Sequence, residues 1–184
     1  LQHFYDGTFS WKPLLAEVRI EPEQMSVDVL EGRVCDISTQ GTLEYGKNGL
    51  IFQVTPQAAG QSLEHTLACL SGKSGLISGT FDLDGEIRGQ GQGKDLLRSL
   101  SGTLKVTAQK GRIYRMTLLS KILAVVNITE IIRGKLPDLI EEGFAFDTAS
   151  VRAAFEDGFC HVREGVIDGA SMEIAFHGEI DLAG

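Results

Sequence analysis

At 184 residues, with 42% apolar side chains, the chain is long enough for one domain with a real core. Its 25 Asp and Glu against 17 Lys and Arg give a net charge of −8, which repels phosphate and argues against nucleic acid or a flat anionic bilayer surface as a partner. No run of about 18 apolar residues occurs, so no segment is expected to span a bilayer as a helix. The sequence opens in mid-pattern at Leu1 and stops at Gly184, and we expect a piece of a larger protein whose other parts carry any targeting signal or anchor.

The 22 glycines are scattered between alternating stretches, which predicts turns and bulges in a β protein. The first ninety residues read as strands. Val27, Val29, Val34 and Ile37 alternate with charged residues, with a break at Glu31-Gly32. Thr42–Tyr45 and Leu50–Val54 form a hairpin around Gly46-Lys47-Asn48-Gly49, because Asn-Gly favours a tight turn; Pro56 is expected to stop the return strand. The period then changes. Leu63, Leu67 and Leu70 predict a short helix, capped by Ser62 and ended near Gly72.

Phe81, Leu83 and Ile87 alternate with Asp82, Asp84, Glu86 and Arg88 as a half-exposed strand. Lys94–Leu100 predicts a two-turn helix, and Leu104, Val106 and Ala108 the next strand, with a turn at Lys110-Gly111 leading into Ile113–Met116. Apolar residues from Leu118 to Ile132 cover a broad face and predict a helix over about 117–133, with a separate short turn at Pro137. Phe144 and Phe146, then Val151, Ala153 and Phe155, restore the β period, and Asp157-Gly158 turns. In the closing strand Met172, Ile174, Phe176, Gly178, Ile180 and Leu182 share one parity against Ser171, Glu173, Ala175, His177, Glu179 and Asp181 on the other, largely polar one. Such strands make a sheet with one apolar face, and the 117–133 helix is the expected cover.

Chemistry-bearing motifs are sparse. Gly89-Gln90-Gly91-Gln92-Gly93-Lys94 departs from a phosphate loop, with Arg88 at the first-glycine position and Asp95 where Ser or Thr belongs; Gly72-Lys73-Ser74 departs similarly at Leu67. Cys160 and His161 are adjacent on a strand and point to opposite faces, which disfavours a shared metal, and His177 reads as a solvated side chain. Asp82, Asp84 and Glu86 read as the wet face of a sheet rather than an acid-base group. Cys35, Cys69 and Cys160 fit no zinc or disulfide framework, and three small buried apolar residues are expected. No catalytic residue, metal or cofactor is predicted.

Several segments occur in the order of a known family. They are Ser78–Gly85, Leu96–Leu104, Lys121-Ile122-Leu123 through Asn127 and Ile128, Leu136-Pro137-Asp138-Leu139, Gly143–Asp147, Glu156-Asp157-Gly158 and Gly178–Leu182. From about Ser78 to Leu182 the chain resembles the AsmA-like C-terminal region of the AsmA, TamB and YhdP group of bacterial envelope proteins; residues 1–77 match it only in β character. The resemblance implies a non-enzymatic periplasmic protein of Gram-negative bacteria, anchored in the inner membrane through a segment outside this sequence. It also implies a long apolar groove that moves phospholipid towards the outer membrane.

The expected fold is α+β and β-dominated: a single module, 1–184, with a long curved antiparallel sheet, an apolar inner face and two or three helices partly covering it. Residues 1–77 supply N-terminal strands and a short helix, and 78–184 the AsmA-like region. Leu104, Val106, Phe144, Phe146, Ile174, Phe176 and Ile180 are expected to line the groove for phospholipid or another acyl-chain lipid. The alternative is a structural or protein-interaction module, docking envelope partners, whose helix seals the core.

Overall fold

The computed structural model describes the backbone of residues 4–6, 9–114, 126–132, 143–170 and 173–184, and the side chains of 12–114, 143–170 and 173–184. Among the described residues eleven strands and two helices follow in chain order: β1 (Phe4–Asp6), β2 (Phe9–Ile20), β3 (Gln24–Val34), β4 (Ile37–Gly46), β5 (Gly49–Ser62), α1 (Leu63–Ser71), β6 (Ile77–Gly91), α2 (Gly93–Arg98), β7 (Ser101–Ile113), β8 (Val126–Ile132), β9 (Phe144–Glu156), β10 (Phe159–Asp168) and β11 (Glu173–Asp181). All strands belong to one antiparallel sheet in the order β1-β2-β3-β4-β5-β6-β7-β9-β10-β11-β8. The sheet is open, with β1 and β8 at its two ends. Every strand lies beside its chain neighbour except β8, which crosses to the far edge and pairs with β11.

Local chemistry explains most turns. β4 and β5 close as Gly46↔Gly49 across Lys47-Asn48, and Asp157-Gly158, with φ of 52° and 84°, joins β9 to β10. Two positive φ values in a two-residue loop match the right-handed twist of the flanking strands. Cys35-Asp36 does the same at φ of 49° and 65°, so Val34 and Ile37 face each other across a hairpin. The break read at Glu31-Gly32 is a bulge within β3. Helix α1 has the caps its sequence foretells: Ser62 Oγ accepts from the His65 N–H at 3.3 Å, and Gly72, at φ 69°, donates its N–H to the Ala68 carbonyl at 2.9 Å.

Four expectations are corrected. β5 does not stop at Pro56; that residue keeps its partner Thr39 on β4, and the β5–β6 register continues at Gln57↔Asp84. A missing donor costs one ladder bond, which pairing on both sides outweighs. Lys110-Gly111 is not a turn but a bulge inside β7: Gln109 pairs with Thr80 and Arg112 with Ser78, so two residues oppose Gly79. Helix α2 is shorter than expected, ending at Arg98. Finally, the helix expected over 117–133 is replaced at Val126–Ile132 by strand β8. The β-branched residues there favour a pleated strand, and β11 offers an edge to pair with. The remainder of that helix, the Pro137 turn, Met116 and Met172 lie outside the described residues. Among the described residues, α1 and α2 are the two helices.

The core is built on the C-terminal half of the sheet. Phe81, Leu83, Ala108, Ile113, Phe144, Phe146, Ile167, Ile174 and Phe176 are buried together, with Leu104, Val106, Val151 and Val162 packed against them.

Candidate functional site

Paired residues in a sheet project to the same side, so register converts strand order into rows of side chains. One row passes through the core as Ala58, Leu83, Val106, Val151, Gly165 and Phe176. A parallel row starts at Ala16 and continues through Val29, Gly41, Val54, Ile87, Gly102, Phe155, Cys160 and Ile180. That second row crosses nine strands without a charged residue. At about 4.8 Å per strand it runs about 38 Å. Eight of its members are half-buried, and Ile180 is 42% exposed.

Two of its glycines are sterically required. Gly41 has φ 151° and Gly102 φ 137°, and a Cβ on either would overlap the neighbouring strand's backbone, at Gln53 and Glu86. They leave the row without a side chain on β4 and β7. Elsewhere glycine makes room for a large partner: a Cβ at Gly85, Gly111 or Gly165 would overlap Leu104, Phe146 or Phe176, each its register partner on the next strand. The glycine content thus serves cross-strand packing as well as turns.

The structure places the seven expected lining residues unequally. Phe144, Phe146, Ile174 and Phe176 lie within the buried cluster, with Phe144 only 2% exposed. Leu104 and Val106 are half-buried beside them. Ile180 belongs to the nine-strand row outside the cluster. Sequence reasoning did not place Ala16, Val29, Val54, Ile87 and Phe155 on one row, because their alignment depends on registers and bulges across six strand pairings, from β2–β3 to β7–β9.

The opposite parity is polar. Glu17, Asp28, Thr42, Gln53, Arg88 and Ser101 occupy one row, and part of it lines a shallow cavity of about 370 Å³ with Glu44 and Gln90. Asp82 accepts from the Gly60 N–H at 2.8 Å, and Glu86 from the Gln53 amide at 2.9 Å; Asp84 is exposed. Asp82 and Glu86 are therefore engaged separately, with different partners. Gly89–Gly91 ends β6 and Gly93 opens α2; the Gln90 N–H donates to Ser99 Oγ at 2.7 Å, and Lys94 donates to the Ala183 carbonyl at 2.9 Å. Comparison with family models, curated proteins and solved structures finds no match to this chain.

The cysteine expectation needs correction. Cys35 and Cys69 form a disulfide that ties the β3–β4 turn to the last turn of α1, with Cα atoms 5.5 Å apart. An odd count hid one pair plus one free thiol, and spacing along the chain cannot show which turn a helix will meet. Cys160 is the free thiol. His161, beside it in sequence, faces away and lies 3.3 Å from Glu179. Burial pushes the Cys160 thiol pKa above its ordinary value. The thiolate is the reactive form, so alkylation of Cys160 is expected to need a higher pH than that of an exposed cysteine thiol. A pH–rate profile with iodoacetamide, read by mass spectrometry on the native chain, checks this; a profile matching a free cysteine peptide would contradict it.

Proposed function

We propose that this chain is a non-enzymatic module of a bacterial envelope protein, resembling the AsmA-like region, whose curved sheet offers an apolar inner face as a track for phospholipid acyl chains. In this reading it works in the periplasm, joined to the inner membrane through parts outside the sequence, and contributes to phospholipid movement towards the outer membrane and to outer-membrane homeostasis. The observation that carries the reading is the uncharged row from Ala16 to Ile180, half-open along its length. An acyl chain gains about 0.8 kcal/mol for each CH₂ taken out of water. Uncharged side chains at every strand, aliphatic or small except for Phe155, give no charged or hydrogen-bonding anchor, which lets a tail slide rather than lodge. A disulfide between Cys35 and Cys69 accords with an oxidising compartment such as the periplasm.

Photocrosslinkers at Val54, Ile87 and Ile180 in cells are expected to capture phospholipid, and those at Gln53 and Glu179 on the polar side are not. Capture from the polar side alone, or from neither, rejects the lipid track. A second reading, a scaffold module with a sealed core, draws on the burial of Phe144, Phe146, Ile174 and Phe176. It expects a lipid-free compact chain by native mass spectrometry, where the track expects co-purified lipid.

A further inference from the structure

We propose that the open edge of β2 is a self-association surface, onto which a second copy of this chain lays its own β2 antiparallel. β1 pairs only with Phe9–Trp11, and among the described residues no strand lies along the outer edge of Leu14–Ile20. That stretch carries Leu15, Val18 and Ile20, which are 54%, 55% and 80% exposed. An unpaired edge with apolar side chains is a template for another strand.

Over Ala16–Ile20 this edge matches its own reverse in kind, with Leu15 beyond the match and opposite Glu21. About a twofold axis at Val18, Val18 meets Val18 of the second copy, Ala16 lies opposite Ile20, and Glu17 lies opposite Arg19. Both apolar contacts fall on one face and both opposite-charge contacts on the other. Neighbouring registers lack this property. An axis at Glu17 opposes two glutamates, and one at Arg19 opposes two arginines and sets Glu17 against Glu21. Charge thus selects the Val18 register. Arg19 already lies 3.5 Å from Glu17 of its own strand and 3.4 Å from Asp28 on β3, which holds it on the face where the second copy's Glu17 arrives. Val18 shares its row with Val27, Leu43 and Phe52, so the added strand extends the apolar side of the sheet. The contact is short, and the expected dimer is concentration-dependent rather than permanent.

Sedimentation equilibrium of the 184-residue chain is expected to show a rise from 19.9 kDa towards twice that mass as concentration increases. Glu17→Arg and Arg19→Glu are each expected to weaken the dimer about tenfold, and the double charge swap to restore it. In a Cys160→Ser background, Val18→Cys is expected to cross-link to itself under mild oxidation. Ala16→Cys alone is not, but a mixture of Ala16→Cys and Ile20→Cys chains is. A chain that stays monomeric at every concentration overturns the proposal. So does a dimer indifferent to the single charge swaps, or one in which Val18→Cys fails to cross-link.

Discussion

Replacing Cys35 and Cys69 together by serine is expected to lower the stability of the chain by about 3–4 kcal/mol, from the loop entropy that a crosslink removes from the unfolded state. The bridge spans 34 positions, enclosing all of β4, β5 and most of α1. α1 lies against β5 and β6, buries Thr66 and packs Leu63 against the core, and the disulfide adds a covalent tie from its last turn to the β3–β4 turn. Urea unfolding of the double variant, beside the native chain with and without a phosphine reductant, provides the measurement. The reduced native chain should superimpose on the variant. Equal midpoints for all three samples, or three free thiols in the native protein by thiol titration, would show that the bridge does not contribute.

The second large effect concerns the pair Gly165 and Phe176. The ring of Phe176 lies over Gly165, its register partner on β10, where a Cβ has no space. Phe176→Ala is expected to cost about 3–5 kcal/mol, because a buried aromatic is lost and the glycine beneath is left bare. Gly165→Val forces the ring out of the core and is expected to cost about 1–3 kcal/mol or more. In the double variant the valine occupies part of the space the ring vacated. Its cost should therefore fall short of the sum of the singles by about 1–3 kcal/mol. Denaturant midpoints of the four proteins test this cycle; strict additivity would mean the ring and the glycine do not share that space.

How much of this was legible in the sequence follows from the range of each signal. The Asn48-Gly49 hairpin, the Asp157-Gly158 turn and the Ser62 and Gly72 caps are written in adjacent residues, and the structure places them as read. The β-dominated character and one long antiparallel sheet were also legible, from period-two alternation and short turns. Features that depend on partners distant in the chain were not. Val126–Ile132 carries apolar residues compatible with either period, and only the free edge of β11 decides for a strand. Pro56 and Lys110-Gly111 look like stops when read alone, yet Pro56 keeps Thr39 and Gly111 keeps Phe146 as register partners, and the residues flanking them pair on both sides of the strand. The inward-facing residues divide the same way. The common burial of Phe144, Phe146, Ile174 and Phe176 follows from alternation within single strands, whereas the row through Val54, Ile87 and Phe155 exists only after the strand pairings fix their registers.

The crossing of β8 to the far edge has a consequence for biogenesis. Strands β2 to β7 can each zip onto the hairpin made just before, as the nascent polypeptide lengthens. β8 cannot, because β11 is translated about forty residues later. At about 5–20 residues per second the segment Val126–Ile132 waits about 2–8 s before its partner is made. For the first part of that interval β7 waits too, since its other neighbour is β9 rather than β8. Any β-strand already present nearby can therefore compete with β8 for the last place in the ladder.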